Sequence, residues 1–136
     1  MLLIGLESAN QETLDRINKG IDIKEAIHMI RDMAYVGLEP HVTVMFGFPW
    51  ESEADALRTL DMVHHLLKKG YAKTAQASLY TVPDGGNNPN HAKYINQIYD
   101  VWKSPEFWKN KIMDIKSTAD IKYLGRQIRE GLRSWR

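Results

Sequence analysis

Three short apolar runs divide the first part of the chain. The first run is nearly continuous from Leu2 to Leu6, which is the pattern of a strand buried on both faces. The second run, from Val42 to Phe48, is rich in β-branched and aromatic residues and is closed by Pro49. A weaker third run extends from about residue 75 to residue 82. We therefore predict three β-strands.

Helical patterns separate these runs. Asn10 can cap a short helix that Gly20 ends, and an amphipathic helix follows over residues 22–37. Ser52, with an aspartate three residues later, marks the start of another helix, whose core face ends near Gly70. The order strand, helix, strand, helix, strand is the βαβ alternation of a parallel sheet with crossover helices.

The chain changes character after the third strand. Residues 84–90 are rich in glycine, asparagine and proline, which is typical of a loop or linker. Apolar positions at helical spacing then predict three helices over residues 91–136, the first covering 94–102 and the second beginning after Pro105. The sequence thus predicts an α/β part at residues 1–83 followed by an α-helical C-terminal segment.

Composition excludes several classes of protein. Hydrophobic residues make up 43% of the 136 positions and charged residues 26%, which is typical of a globular domain. The chain has no cysteine, so it can hold neither a disulfide, a thiolate zinc site nor a cysteine-ligated iron–sulfur cluster. No apolar stretch approaches the roughly 18 residues that span a bilayer. We expect a soluble, cytoplasmic protein with no membrane partner.

Charge is divided unevenly along the chain. The net charge is +1 overall, but residues 1–102 carry nine basic and thirteen acidic side chains, whereas residues 103–136 carry nine and four. Such a basic segment more often complements an acidic neighbour than binds a polyanion, and the chain as a whole is not expected to bind nucleic acid. An RNA-facing module built on this segment stays open as an alternative, as does a non-catalytic α/β interaction domain.

The carboxyl ends of parallel strands are where ligands bind. Glu7 and Ser8 follow the first strand and could bond ligand hydroxyls, whereas Gly47 and Pro49 could let main chain approach a flat ring. A simpler interpretation is open as well. Ser8 and Asn10 would then only cap a helix, and the glycine and proline would only turn the chain.

Common catalytic signatures are missing from the sequence. No GxGxxG, P-loop, GxSxG or HExxH pattern occurs. His64 and His65 are adjacent and point about 100° apart on a helix, which is the wrong spacing for two metal ligands on one face. His41 and His91 stand alone in the sequence. We predict no metal ligand in this chain.

Two segments resemble a known family. Ile4–Ser8, followed by Asn10–Asp15 and Asn18–Gly20, resembles the fourth-strand segment of radical S-adenosylmethionine enzymes. Val44–Ser52 resembles the fifth-strand segment of that family, a glycine-x-proline-x-glutamate turn followed by a helix. The variant with Trp50 before the glutamate is most like the cobalamin-binding branch, which includes the anaerobic magnesium-protoporphyrin IX monomethyl ester cyclases.

The third strand extends the resemblance and then departs from it. Gln76, Ala77 and residues 81–83 fall where the branch has its sixth strand. The branch continues with a proline-tyrosine-proline-glycine-threonine stretch, but residues 84–88 read Asp-Gly-Gly-Asn-Asn. The resemblance therefore covers residues 2–83 well and the helical segment only loosely.

The resemblance implies that the chain is the second half of a partial TIM-type barrel of six βα units. The missing N-terminal half would carry the CxxxCxxC motif that holds a [4Fe–4S] cluster. That cluster, S-adenosylmethionine and, if the branch assignment is right, cobalamin would belong to a parent oxidoreductase or transferase acting on a small molecule. We expect this C-terminal fragment to have no catalytic residue, because the radical would be generated at a cluster that it cannot bind. We also expect it to be inactive alone and to bind no cofactor tightly.

The resemblance also implies a cofactor pocket. The end of the fourth strand contacts the ribose and methionine of S-adenosylmethionine in this family, the end of the fifth strand lines the adenine, and the turn after it shapes that loop. The cofactor-binding residues so implied are Glu7, Ser8, Asn10, Met45, Phe46, Gly47, Pro49 and Glu51. The first strand would lack a neighbour in the isolated chain, so we also expect a homodimer that completes the sheet through that strand.

Overall fold

A computed structural model describes residues 2–82 and 86–108, together with residues 121–122, 125–126 and 128–129. The chain divides into two compact units, Met1–Ile98 and Tyr99–Arg136. The first unit contains all three strands of the described residues and carries the candidate site.

The first unit is built on a three-stranded parallel sheet. Its strands are β1 (Leu2–Glu7), β2 (Pro40–Phe46) and β3 (Thr74–Leu79). They lie in the order β1-β2-β3, and both neighbouring pairs are parallel. The predicted α/β class, with a parallel sheet and crossover helices, is confirmed.

Helices connect the strands in the predicted order. Helices α1 (Gln11–Arg16) and α2 (Ile23–Tyr35) lie between β1 and β2, and α3 (Glu53–Lys68) lies between β2 and β3. A 3₁₀ turn at Pro89–Ala92 leads into α4 (Lys93–Gln97) after the sheet.

Local capping determines where the two longer connecting helices begin. The side chain of Asp22 accepts a hydrogen bond from the Glu25 amide at the start of α2. Ser52 and Asp55 form a reciprocal capping box at the start of α3. Each arrangement satisfies backbone amides that have no partner within the first helical turn. Both helix starts were predicted from these residues and are confirmed.

The two faces of the sheet differ in burial. Val42, Val44 and Phe46 of β2 are at most 1% exposed, and the intervening residues 41, 43 and 45 are only half-buried. Side chains alternate between the faces of a strand. The described helices of this unit therefore cover one face of the sheet, and we call the other the open face.

The second strand ends earlier than predicted. It was expected to reach Phe48 but stops at Phe46, because Gly47 adopts a left-handed conformation with φ 95°. The carbonyls of Phe46 and Gly47 accept hydrogen bonds from residues that follow β3. The Tyr80 amide donates to the Phe46 carbonyl at 2.7 Å, and the Asn88 amide donates to the Gly47 carbonyl at 2.7 Å. Phe48 remains fully buried outside the strand. β3 likewise ends at residue 79 rather than 82.

The predicted continuous helix over residues 94–102 is wrong. Helix α4 ends at Gln97, and a separate 3₁₀ turn at Asp100–Lys103 belongs to the second unit. Residues 105–108 are helical, as are the described residues near 121–129. The rest of the second and third predicted helices lies outside the described residues. Within the described part of the chain, no helix has the length and apolar character needed to cross a membrane.

Candidate functional site

A strained turn ends β1. The Ser8 amide donates to the Leu6 carbonyl at 2.8 Å, which closes a three-residue turn. Glu7, at its centre, has φ 65°, a left-handed conformation that costs a non-glycine residue free energy. The register with β2 shifts between Gly5 and Glu7. Backbone strain of this kind concentrates at functional positions, so this strand end is a site candidate.

A buried carboxylate joins the ends of β1 and β2. Glu51 is 5% exposed. Its Oε2 atom accepts hydrogen bonds from Ser8 Oγ at 2.8 Å, from Asn10 Nδ2 at 3.0 Å and from Thr13 Oγ1 at 2.6 Å. We call these four residues, together with Thr59, the Glu51 network. Polar residues from two strand ends thus meet at one edge of the sheet.

Helix α3 supplies a further member of this network. Thr59 Oγ1 accepts a hydrogen bond from the Ala9 amide at 3.0 Å and lies 3.4 Å from Ser8 Oγ. Thr59 is fully buried. Thr59 lies at helical spacing from buried Ala56 and Val63, on the core-facing side of the helix. A polar residue on such a face needs a hydrogen-bond partner, and this was the sequence signal that could have identified Thr59. Neither Thr59 nor Thr13 is among the site residues predicted from the sequence.

Ser8 and Asn10 both belong to this network. Ser8 is fully buried and Asn10 is 7% exposed. Asn10 stands at the N-cap of α1, but its side chain makes no capping bond. Its amide nitrogen instead donates to Glu51, to Ser8 Oγ and to the Asp55 carbonyl, and its oxygen accepts from Arg58. These side chains hold the two loops together.

Glu7 lies on the open face of the sheet. A Cβ atom added to Gly5 would lie 2.8 Å from Glu7 Oε1, 3.1 Å from Lys19 Nζ and 3.7 Å from Thr43 Oγ1. Glycine thus leaves room for the Glu7–Lys19 ion pair, whose atoms are 3.3 Å apart. The Glu7 side chain is 19% exposed, and its carboxylate lies on this face beside Gly5.

The open face carries further polar side chains in register with Glu7. Gly5 is opposite Thr43, which is opposite Gln76, and Met45 is opposite Ser78. Gln76 and Ser78 are exposed. The face therefore offers hydroxyl, amide and carboxylate groups beside one methionine side chain.

Of the residues expected to line an adenine, only Met45 lies on the open face. Phe46 is fully buried on the helix-covered face, where its ring centroid is 5.7 Å from that of Tyr94. The space beside Gly47 is occupied, because an added Cβ would lie 2.5 Å from Leu79 Cδ1 and 3.1 Å from the Asn88 carbonyl oxygen. This glycine serves the turn.

An aromatic cluster closes the loop after β2. The ring centroid of Phe48 lies 4.6 Å from that of Tyr80 and 5.3 Å from that of Trp50. Trp50 Nε1 donates to Thr13 Oγ1 at 3.0 Å, and the Arg16 guanidinium lies 4.8 Å above the Trp50 ring. Pro49, between the two aromatic residues of this loop, is exposed. The cluster attaches the loop after β2 to α1. Through the Trp50 bond to Thr13 it also contacts the Glu51 network.

A second polar cluster lies on the helix-covered side. Glu53 contacts Lys93 at 2.6 Å, His91 at 3.2 Å and the Tyr94 hydroxyl. Hydrogen bonds from Lys93 and Tyr94 lower the pKa of Glu53, and the bond to Glu53 raises the pKa of Lys93. Burial, followed by the bond to Glu53, raises the pKa of Tyr94. His91, which stands alone in the sequence, thus pairs with Glu53 in the fold, and the cluster joins α3 to α4.

In the part of the chain that the structure describes, no three His, Asp or Glu side chains form a group that could hold a metal ion. The sequence also has no cysteine, so this chain does not fit a [4Fe–4S] cluster. The open face does fit a ligand with hydroxyl groups, because the Glu7 carboxylate is a hydrogen-bond acceptor on that face.

No protein-family model matches the sequence, and no curated protein matches it significantly.

Proposed function

We propose that this chain is a C-terminal fragment of a radical S-adenosylmethionine enzyme, in which it supplies one side of the cofactor and substrate pocket. The observation that carries the proposal is the position of Glu7. It stands in a strained turn at the carboxyl end of β1 and directs a carboxylate onto the polar open face of a parallel sheet. The fragment is inactive alone.

The topology supports half of a partial barrel. Parallel crossovers are right-handed, and a sheet whose strands follow in consecutive order, β1-β2-β3, therefore carries its helices on one face. Barrels have this arrangement, with the other face turned toward the interior. Doubly wound sheets reverse strand order and carry helices on both faces. The polar open face is therefore more consistent with a barrel interior than with a flavodoxin-like interaction domain.

Different residues of the chain have different roles in the proposed pocket. Glu7 accepts hydrogen bonds from the ribose hydroxyls of S-adenosylmethionine, and Met45 gives the adenine an apolar contact. Lys19 holds the Glu7 carboxylate from one side. The Glu51 network touches no ligand and fixes the loop in which Glu7 lies.

The remaining chemistry belongs to the preceding part of the parent polypeptide. We assign the iron–sulfur cluster, and with it the cleavage of S-adenosylmethionine, to an N-terminal half that carries CxxxCxxC. We assign no residue of this chain to cobalamin.

Calorimetric titration of the complete polypeptide with S-adenosylmethionine tests the proposal. Glu7→Ala removes charge-assisted hydrogen bonds, each worth about 1.5–3 kcal/mol, so we expect affinity to fall roughly 10- to 100-fold. Glu12→Ala is the matched control, because Glu12 is an exposed carboxylate in the neighbouring helix α1. Equal affinity for the two variants, or a parent polypeptide without CxxxCxxC, would refute the proposal.

A further inference from the structure

The outer surface of α2 carries an acidic and apolar groove, which we call the α2 groove. It encloses about 510 Å³ and is lined by Glu25, His28, Met29, Asp32, Met33 and Val36. Met29 is 46% exposed and Val36 is 77% exposed. The two carboxylates are exposed, and no lysine or arginine is among the lining residues. A contiguous apolar surface bordered by charge is typical of a contact site.

A basic and aromatic surface lies beside the other flank of α2. Tyr35 is 74% exposed, and its ring centroid is 6.2 Å from that of Tyr71. Tyr71 also contacts the exposed ring of His65, with centroids 6.1 Å apart. Lys68 and Lys69 follow His65 by three and four residues at the end of α3, so they lie on the same side of that helix. We call these five residues the basic flank.

The α2 groove and the basic flank face in different directions. Successive residues of a helix are about 100° apart, so Tyr35 and Met29 lie on opposite sides of the buried Ile30. Both belong to one continuous helix of 13 residues. A single copy of the chain therefore cannot place its own basic flank in its own groove.

We propose that the α2 groove of one copy of this chain binds the basic flank of a second copy. Lys68 and Lys69 of the second copy face the two carboxylates of the groove, and its two tyrosine rings cover Met29 and Met33. The contact is head-to-tail, because each copy contributes a different surface to it. The inference uses no residue of the open face, so it is independent of the proposed function.

Charge complementarity favours a second copy as the occupant. Glu25, Lys68 and Lys69 make no ion pair with another described residue. Arg31 lies 3.3 Å from Asp32, but both side chains are exposed at the rim of the groove, so this pair is weak. The chain thus carries free charges of both signs, each beside exposed apolar side chains.

Two-fold pairings of these surfaces are unfavourable. Two α2 grooves placed against each other would bring Glu25 and Asp32 of both copies together, and two basic flanks would bring Lys68 and Lys69 together. Like charges in contact are destabilising. Only the combination of groove with flank places opposite charges across the contact.

This contact differs from the homodimer expected from the sequence, in which two β1 edges would pair. The β1 strand, Leu2–Glu7, contains one charged residue and no residue of either surface. Charge changes on α2 and α3 therefore distinguish the two modes of association.

Carbodiimide cross-linking, which joins a lysine directly to a carboxylate, tests which residues meet. In an equal mixture of unlabelled and ¹⁵N-labelled chain, we expect Lys68 or Lys69 joined to Glu25 or Asp32, with one labelled and one unlabelled peptide in the same product. Mixed products that instead join the groove to lysines of residues 103–136 would overturn the inference. So would the absence of any mixed product.

Charge reversal provides the second measurement. Sedimentation equilibrium of the variant pairs Lys68→Glu with Lys69→Glu, and Glu25→Lys with Asp32→Lys, should give dissociation constants raised by roughly tenfold or more. An equal mixture of the two double variants should associate within about threefold of the wild type, because each altered surface again meets one of opposite sign. Urea midpoints near that of the wild type show that the variants fold.

Glu12→Lys is the matched control. It reverses an exposed carboxylate on α1, outside both surfaces, and should leave the dissociation constant unchanged. Association that neither double variant weakens would indicate pairing through β1 and overturn the inference. A mixture that fails to associate, or a wild-type chain that is monomeric at the highest concentration measured, would overturn it as well.

Discussion

Glu51 Oε2 lies 2.8 Å from Ser8 Oγ, although the two residues are 43 positions apart in the sequence. Both are buried, and each belongs to a loop at the carboxyl end of a different strand. A hydrogen bond to a buried carboxylate is stronger than one between neutral groups. The contact therefore fixes the loop after β1 relative to the loop after β2, and with it the position of Glu7.

The first prediction concerns the carboxylate of Glu51. Glu51→Ala leaves three buried donors, on Ser8, Asn10 and Thr13, without their acceptor, so the free energy of unfolding should fall by about 2–4 kcal/mol. Glu51→Gln keeps one side-chain oxygen and should cost less, about 1–2 kcal/mol. Urea denaturation at neutral pH measures both.

Glu12→Ala is the control, because it removes a carboxylate that lies outside the Glu51 network. Glu12 is exposed in α1, so its removal should change the free energy of unfolding by no more than about 0.5 kcal/mol. If Glu51→Ala were equally mild, the Glu51 network would not hold the loops.

The second prediction concerns Gly47. Gly47→Ala combines a left-handed backbone with a Cβ atom 2.5 Å from Leu79 Cδ1, so we expect a loss of about 2–4 kcal/mol. Gly37→Ala is the matched control. Gly37 has φ 86° but no atom within 4 Å of the added Cβ, so that variant should lose only about 1 kcal/mol.

A double variant separates the two costs at Gly47. Leu79→Ala removes the nearest clashing atoms, so its cost should be smaller in the Gly47→Ala background than in the wild type. If the losses in the free energy of unfolding caused by Gly47→Ala and Leu79→Ala were additive in urea denaturation, the clash with Leu79 would be unimportant.

The third prediction concerns acid stability. Hydrogen bonds from Lys93 and Tyr94 lower the pKa of Glu53 in the folded state. A lowered folded pKa contributes stability that is present above the unfolded pKa and is lost as the pH falls through the folded pKa. The contribution should therefore be present at neutral pH and disappear under acidic conditions. Because Glu53 is exposed, the effect should be modest and sensitive to salt.

Lys93→Met provides the comparison for this prediction. In that variant the pKa of Glu53 should rise toward its ordinary value, which carboxyl NMR titration measures directly. Its urea midpoint should lie below that of the wild type at neutral pH, and the difference should shrink as the pH falls. A difference that is constant with pH would mean that Glu53 and Lys93 are not coupled. His91 also faces Glu53, so His91→Gln should be titrated in parallel.

The sequence predicts the elements of the sheet better than their ends. Apolar runs define β1 and β2. Asp22 and Ser52 mark the starts of their helices, because capping involves residues only three positions apart. The end of β2 depends instead on the backbone of Gly47, which meets Asn88 across a turn. No pattern of neighbouring residues in the sequence indicates such a contact.

The candidate site illustrates the same limit. Glu7 and Ser8 are adjacent in sequence and were expected to share a role, yet the turn at Glu7 sends one carboxylate to the open face and buries the neighbouring hydroxyl. Thr59 joins the site through contacts 50 and 51 positions away. The strand-end rule identified the edge of the sheet, but only three-dimensional packing separates the residues that can touch a ligand from those that hold the loops.

The last prediction uses the strain at Glu7. Glycine adopts φ 65° at almost no cost, so Glu7→Gly should relieve roughly 1 kcal/mol of backbone strain and lose only the partly exposed ion pair with Lys19. Glu7→Ala removes the same carboxylate but keeps the strain. Urea denaturation should therefore find the glycine variant more stable than the alanine variant by about 1 kcal/mol, and more stable than the wild type by a smaller amount. In the complete polypeptide both variants should lose affinity for S-adenosylmethionine equally, because affinity depends on the carboxylate and stability depends on the backbone. If the alanine variant were as stable as the glycine variant, the turn at Glu7 would store no strain.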